Sequence, residues 1–472
     1  MKRTGIVCVL LILISTVVLG QAGVTADIDI PEPVSLTLSV EEAVDLALEN
    51  NLSLLQEDLS IKGKKRIRDT AWNVFVPTVS ANATLTRFKD EVPFMNYGAF
   101  MATDLATGTP QAFIGQYQTG DTYMGTLGMG LDFQLVLTPQ LWYGYKATVL
   151  NYESGLLSKE QAKSDLETNI KKQFYGLIVQ KEQIDILETQ LAAIEKRYQQ
   201  ALDNYSFGFV DEYTTLSVKV NLENFKPQIE MARLGYNQAE MAFKLALGIN
   251  LDSDIVLDGQ IEIDPQTYEA SSLVGEYISG RTDLQQLMKT IETLENTKKI
   301  YQGGLLPRII LGYGLSTSFD DDPWGGNWFS PDDWSEGQTN GVFSLVLNLQ
   351  LSDYFPFSST ANNIKGMDDA IGQTRAGLSM AWQAARMEIF ASVEQLNNAV
   401  LSIKAKELNV DLASRAYSLA EESYNAGGKS LLDVEDAEDG LKEAQFQLLN
   451  AKYNYITALL NLEAAINAPL SE

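Results

Sequence analysis

Four stretches of the chain alternate apolar and polar residues with a period of two. This pattern predicts β-strands at about residues 79–87, 125–136, 308–317 and 341–352. The odd-numbered positions are mainly apolar, whereas the even-numbered positions are mostly Ser, Asn, Thr, Gly, Asp and Gln. Alternation over about ten residues is typical of membrane barrels, with the apolar face outward. The alternative is a soluble sandwich with one buried face.

A second pattern, with apolar residues at alternating steps of three and four, predicts long helices that pack as coiled coils. They cover about residues 148–204, 213–247, 362–424 and 431–466, and a shorter helix begins after Ser39 and runs to about Asn73. Large and small residues alternate along the last helix. The positions are Leu441, Ala444, Leu448, Ala451, Tyr455, Ala458, Leu462 and Ala465. A helix of roughly 60 residues is about 90 Å long, which suits a tube that crosses a cell envelope.

The two halves of the chain repeat this order of elements. Tyr205 corresponds to Tyr424 at a shift of 219 residues (424 − 205), and Pro77 corresponds to Pro307 at a shift of 230 (307 − 77). We therefore predict an internal duplication, with repeats at 27–260 and 261–472. Pro227 falls inside a helix of the first repeat and is expected to kink it.

The number of strands bears on assembly. The smallest membrane barrels have about eight strands, so the four predicted here cannot close a barrel within one chain. Several chains are expected to share one barrel.

The N-terminus has the features of a secretory signal peptide. Lys2 and Arg3 precede the apolar run from Ile6 to Leu19, and small residues precede a cleavage site after Ala26. Residues 1–26 are therefore expected to be removed, and the alternatives are cleavage after Ala22 and an uncleaved membrane anchor. The single cysteine, Cys8, lies in this segment, so we expect no disulfide in the mature protein.

Composition excludes several classes of function. The chain has 472 residues, with 35 basic and 62 acidic residues and a net charge of −27, which would repel nucleic-acid phosphates. It contains no His, which excludes a His-based catalytic triad, a His-ligated zinc site and a His proton shuttle. We also find no Gly-rich phosphate-binding loop. We therefore expect no cofactor, no metal and no enzymatic activity.

The segments between the predicted strands, residues 88–124 and 319–340, are rich in Gly, Pro, Asp and aromatic residues and are expected to be loops. Trp142, Tyr143 and Tyr145 are placed at the end of the second strand. Aromatic residues at this position suit the interface between a membrane and water.

Several motifs together resemble the outer-membrane efflux ducts of the TolC family, over about residues 39–467. They are the Ser39-to-Asn51 helix start, the two helix–Pro–strand junctions, the Tyr-x-x-Gly-x-x-Ser-x-x-Asp-Val turn that begins at Tyr424, and the Ala-x-Tyr-Asn-Tyr sequence that begins at Ala451. Each motif alone has low specificity, but their duplicated order is specific.

The resemblance implies a mixed α and β membrane protein that forms a homotrimer. Each chain would give four strands to a shared outer-membrane β-barrel, in contact with lipid, and its helices to a periplasmic α-helical barrel. A small domain midway would include residues 250–275 and the ends of the chain. The duct would passively export small molecules or proteins in a tripartite efflux or type I secretion system. Its partners would be a periplasmic adaptor and an inner-membrane transporter, whose class the sequence does not specify.

The resemblance also implies a gate at the helical turns. Asp433 and Asp436 match lumen-facing acidic rings, Lys429 matches a basic residue of the gate network, and Tyr424 matches a gate-linking Tyr. Thr214 stands where a gate Asp would be expected opposite Tyr424. Asp433 also lies three residues after Ser430, at the position of a helix capping box, so capping and pore lining both remain open.

Two other functions compete with the duct. The first is a periplasmic coiled-coil protein that bridges the membranes without conducting, against which the polar strand faces argue. The second is an exported enzyme, for which the sequence offers no activated nucleophile or acid–base pair.

Overall fold

The computed structural model describes residues 33–87, 101–103, 110–112, 125–259, 261, 263–320 and 338–470. The strands are β1 (Ser35–Leu38), β2 (Thr78–Arg87), β3 (Met101–Thr103), β4 (Pro110–Ala112), β5 (Gly125–Leu137), β6 (Asp254–Leu257), β7 (Arg308–Asp320) and β8 (Gln338–Asn348). The α-helices are α1 (Val40–Asn50), α2 (Leu52–Thr70), α3 (Pro139–Ser206), α4 (Glu212–Leu247), α5 (Ala270–Tyr277), α6 (Thr282–Gly304), α7 (Ser359–Asn425) and α8 (Leu431–Ile466).

The chain forms two compact units. The first contains Gln173–Glu262 together with the chain up to Asn51, and the second contains Leu52–Lys172 and Ile263–Glu472. These units cut across the predicted halves 27–260 and 261–472. The duplication concerns sequence order, which compactness does not test, so it remains a prediction.

The second unit contains a four-stranded antiparallel sheet in the order β2-β5-β7-β8. The odd-numbered apolar residues lie directly opposite one another. Phe133, for example, pairs with Val79 on one side and with Tyr313 on the other, and Tyr313 pairs with Phe343. These side chains remain exposed, up to 70% for Phe343. The sheet therefore presents one continuous apolar face that the described part of the chain does not cover.

The opposite face of the sheet is largely polar. The Asn82 Nδ2 donates a hydrogen bond of 2.7 Å to the Asp132 Oδ2, which links β2 to β5. The Thr78 Oγ1 donates to the Gln134 carbonyl oxygen at 3.2 Å. Since side chains of a strand alternate between faces, one sheet carries both an apolar and a hydrophilic wall.

The structure corrects two predictions at strand ends. Helix α3 begins at Pro139, so Trp142, Tyr143 and Tyr145 lie in its first turns and not at the end of a strand. Pro is favoured in the first turn because its missing N–H is not needed there. The fourth strand ends at Asn348 and not at residue 352.

A short 3-10 helix, Leu351–Tyr354, explains the early end of β8. The Asp353 N–H donates to the Gln350 carbonyl oxygen at 3.2 Å, and the Tyr354 hydroxyl donates to the Leu305 carbonyl oxygen. These bonds turn the chain away from the ladder.

Helices α7 and α8 pack along the seam predicted in α8. Ala444, Ala451, Tyr455, Ala458, Leu462 and Ala465 are all buried, and Ala458 is only 1% exposed. On α7, Ile389, Leu396, Val400 and Ile403 are buried. Small residues in such a seam allow the helix backbones to approach closely.

Residues 263–269, named here the strap, precede α5 in the second unit and form hydrogen bonds with α7 and α8. The Tyr455 hydroxyl donates to the Asp264 carbonyl oxygen at 3.3 Å and accepts from the Gln266 N–H at 3.1 Å. The Asn397 side chain accepts from the Tyr268 N–H and donates to the Tyr268 carbonyl oxygen, both at 3.2 Å. The half-buried Asn397 amide and the buried Tyr455 side chain thus satisfy backbone groups of the strap.

The first unit joins the N-terminal segment to α4 through a parallel pair of short strands. In this pair, Ser35 of β1 lies opposite Asp254 of β6. The core includes Phe174 and Phe243, which are almost fully buried with ring centroids 6.4 Å apart. Helix α4 continues through Pro227 from Glu212 to Leu247, and the expected kink remains a prediction.

The helix predicted from Ser39 to about Asn73 is two helices. Ser39 caps α1 in a capping box with Glu42, as its sequence predicts. The helix then breaks at Asn51, whose backbone is extended (φ −63°, ψ 121°). The Asn51 Nδ2 donates to the Ala246 carbonyl oxygen at 2.8 Å, so a tertiary contact fixes the break.

Several predictions fall wholly or partly outside the described residues. The signal peptide 1–26 lies outside them, as do most of the segments 88–124 and 319–340. Within the first of these segments, β3 and β4 form a short antiparallel hairpin where only a loop is expected. In the described part of the chain, no helix combines the length and apolar character needed to cross a bilayer.

Candidate gate at the helical turns

The turn between α7 and α8, in the second unit, is closed by its own backbone. The Gly427 N–H donates to the Tyr424 carbonyl oxygen at 2.9 Å, and the Gly428 N–H donates to the Ser423 carbonyl oxygen at 2.8 Å. Gly427 has φ 75°, a left-handed conformation that favours Gly because a Cβ would be strained. The Gly-Gly pair therefore serves to end α7.

Helix α8 begins with a complete capping box. The Ser430 Oγ accepts from the Asp433 N–H at 3.3 Å, and the Asp433 Oδ2 accepts from the Ser430 N–H at 2.8 Å. The Ser430 hydroxyl also donates to the same carboxylate oxygen at 2.6 Å. These bonds, with Ser430 foremost and the Lys429 charge adding to them, lower the pKa of Asp433. The carboxylate is exposed, and these interactions favour its ionised form.

The other predicted residues of this turn differ in their surroundings. Lys429 and Asp436 are exposed, and Asp436 lies one turn further along α8. Tyr424 is half-buried in the last turn of α7, where its carbonyl oxygen closes the turn. The fold thus brings four of the predicted residues to one helical turn.

The turn between α3 and α4, in the first unit, uses the same kind of closure. The Gly208 N–H donates to the Tyr205 carbonyl oxygen at 3.0 Å, and the Phe209 N–H donates to the Asn204 carbonyl oxygen at 2.8 Å. Gly208 has φ 78°. Each of these residues lies 219 positions (427 − 208) before its counterpart in the other turn.

The carboxylate and the hydroxyl occupy opposite positions in the caps of the two turns. In α4 the carboxylate belongs to the capping residue: the Asp211 Oδ1 accepts from the Thr214 N–H at 3.0 Å and from the Thr214 hydroxyl at 2.5 Å. The Thr214 bonds lower the pKa of Asp211. In α8 the cap is the hydroxyl of Ser430, and the carboxylate of Asp433 lies three residues on. Thr214 occupies the position equivalent to Asp433, in the other compact unit from the remaining predicted residues.

Asp211 is the residue that sequence reasoning missed. It is exposed and carries an ionised carboxylate at the first turn. The shift of 219 residues pairs it with Ser430, and an acidic N-cap three residues before Thr is a recognisable signal. In the described residues, no group of three or more Cys, Asp and Glu side chains could hold a metal ion.

Three features define an outer-membrane channel-like fold: a sheet with one apolar face and, within the described residues, two open edges; very long helices; and the two closed turns. Residues 273–468 match the family model described as outer membrane efflux protein.

Relatives and solved structures agree with this assignment. The chain is 21% identical to the outer membrane protein TolC of Vibrio cholerae over 307 residues, which cover 64% of this chain and 67% of the relative. It is 30% identical to the TolC of Escherichia coli over 89 residues, which cover 19% of this chain and 18% of that protein.

The fold resembles the CmeC outer membrane channel of Campylobacter jejuni, with a TM-score of 0.72 and 18% identity over 92% of this chain and 87% of CmeC. It also resembles VceC of Vibrio cholerae, with a TM-score of 0.69 and 16% identity over 92% of this chain and 97% of VceC. The resemblance to the TolC family is confirmed.

Proposed function

We propose that the chain is the outer-membrane duct of a tripartite efflux or type I secretion system. It lies in the outer membrane and extends into the periplasm. The observation that carries the proposal is the sheet with an exposed apolar face on one side and a largely polar face on the other. Lipid requires the first face and a water-filled passage requires the second. Transport through such a passage is passive and needs no catalytic group.

The duct is a homotrimer in this proposal. Strand β2 pairs only with β5 and β8 pairs only with β7 in the described residues, so both edges of the sheet are open. Open edges do not occur in hydrocarbon, because their N–H and C=O groups would have no partners. Three chains contribute twelve strands (3 × 4), enough to close one barrel.

The helical turns form the periplasmic entrance, and the acidic residues there line it. Asp433 and Asp436 are exposed on one turn, with Lys429 beside them. Capping does not preclude this role, because the Asp433 carboxylate has a second oxygen beyond the one that accepts from Ser430. We assign Tyr424 and Thr214 to the gate as well, each in the helical turn of its own unit. A periplasmic adaptor and an inner-membrane transporter deliver the cargo.

Conductance in planar bilayers tests the duct directly. The purified full-length protein should form water-filled channels, and its mass in detergent should correspond to three chains. A protein that inserts into bilayers as a trimer without conducting would support the alternative of a periplasmic bridging protein. A stable single chain that retains its sheet would contradict the trimer.

A further inference from the structure

The distribution of charge beside the sheet departs from that of the whole chain. Four segments of 15 residues border the sheet, each at the end of a strand that connects to helices. They are 63–77, 138–152, 293–307 and 349–363. These segments contain seven basic and three acidic residues, a net charge of +4 (7 − 3), although the chain carries −27. The next 15 residues along each helical segment carry seven basic and eleven acidic residues, a net charge of −4 (7 − 11). A positive zone therefore borders the sheet.

Three cations of this zone are exposed and are named here the basic belt: Lys65, Arg66 and Lys299. Within the described residues, none of them forms an ion pair. Their neighbours do, since Arg68 pairs with Asp69 and Lys298 pairs with Asp368. The belt thus keeps three positive charges available to an outside partner.

Exposed aromatic side chains lie in the same segments as these charges, within nine residues of a strand end. Trp72, Trp142 and Phe357 are 56%, 59% and 85% exposed. Large aromatic residues that border an apolar membrane-facing surface mark the level of the lipid headgroups. Arg66 precedes Trp72 by six residues, or about 9 Å along the chain at the rise of an α-helix. This separation is about one Debye length at physiological ionic strength.

We propose that the basic belt binds the phosphates of anionic phospholipids in the leaflet that faces the helices. The proposal rests on the proposed function, because it requires the apolar face of the sheet to lie in the bilayer. The charges of the belt and of the lipid are complementary, and long Lys and Arg side chains can extend toward the headgroups. Each basic residue near such a surface strengthens the attraction about fivefold.

The test is lipid selection by the full-length protein. Nanodiscs are prepared with equal amounts of phosphatidylglycerol and phosphatidylcholine, and the lipids that remain bound after mild detergent extraction are measured by mass spectrometry. The triple variant Lys65→Gln/Arg66→Gln/Lys299→Gln should lose the preference for phosphatidylglycerol by at least about tenfold. High salt should reduce the preference of the wild type in the same direction.

A matched control separates the belt from net charge alone. Lys219→Gln/Lys404→Gln/Arg415→Gln removes two Lys and one Arg charge from exposed positions on the long helices α4 and α7. The control should select phosphatidylglycerol as the wild type does. An equal loss in the control, or none in the belt variant, overturns the proposal. So does dissociation of the belt variant into single chains in pure phosphatidylcholine, which would show that these residues hold a neighbouring copy.

Measurements of channel conductance distinguish a failure of the basic-belt proposal from a failure of the proposed duct function. The belt variant should conduct as the wild type does, because it alters no residue assigned to the entrance. A variant that conducts normally with unchanged lipid selection refutes only the belt. A wild-type protein that does not conduct refutes the duct.

Discussion

Ala458 offers a sharp test of the helix packing. It lies in the α8 seam with 1% exposure, between the buried side chains of Tyr455 and Leu462 one turn to either side. Ala458→Leu adds three carbon atoms at a site with no free surface. Burying them in available space would gain about 0.8 kcal/mol per methylene group. Because the seam is already filled, we expect a net loss of about 1–3 kcal/mol.

Chemical unfolding followed by the helical circular dichroism signal measures this loss. With an m-value of about 3 kcal/mol/M in urea, the midpoint should fall by roughly 0.3–1 M with an unchanged slope. The matched control is Ala416→Leu, the same change at an exposed position of α7. Ala and Leu differ little in helix propensity, so the control should unfold like the wild type. Equal midpoints for all three proteins would refute the close packing inferred at Ala458.

The remaining predictions concern the entrance and the strap. Asp433→Ala/Asp436→Ala should abolish cation selectivity and block by a trivalent cation in single-channel recordings, and a variant blocked as readily as the wild type would limit these residues to helix capping. Since Ser430 lowers the pKa of Asp433, block in an Asp436→Ala background should persist below the ordinary Asp pKa of about 3.9. Adding Ser430→Ala should move the loss of block to higher pH, and an identical pH profile would contradict this. Tyr455→Phe leaves the Gln266 N–H without its acceptor and should cost about 1–3 kcal/mol, measured by urea unfolding, whereas unchanged stability would mean that water replaces the hydroxyl.

The parts of the fold that sequence anticipated are those with a local repeating signal. The alternation of Leu131, Phe133 and Leu135 predicts a strand with an apolar face, and Leu131 and Phe133 on that face are exposed in the structure. The spacing of Ala451 and Ala458 predicts a helix seam, and both side chains are buried. Side-chain periodicity reports the environment of each face directly, so these elements needed no tertiary information.

The parts that sequence missed depend on contacts between distant residues. Asn51 ends α1 because its side chain donates to Ala246, 195 residues away. Strand β1 has four residues and exists through pairing with β6, whose register places Leu38 opposite Leu257. Neither interaction leaves a periodic pattern in the chain.

The candidate site likewise combines features that local sequence predicts with features that it does not. The capping role of Asp433 follows from its spacing to Ser430 and is present in the structure. The same spacing places Asp211 three residues before Thr214, where its carboxylate caps the next helix. Helix capping can be predicted from the local spacing of residues. Which side of a helix faces a passage depends on how the chains assemble, and local spacing does not reveal it.

The two open edges of the sheet also constrain the order in which the protein can mature. Strands β2 and β8 each leave one row of backbone groups without a partner in the described chain. A chain that entered the bilayer alone would carry those rows into hydrocarbon, at several kcal/mol for each unsatisfied group. In the proposed homotrimer, insertion therefore has to coincide with the meeting of the chains. Biogenesis should then depend steeply on the concentration of newly exported chains, and unassembled chains should remain in the periplasm, where chaperones and proteases can reach them.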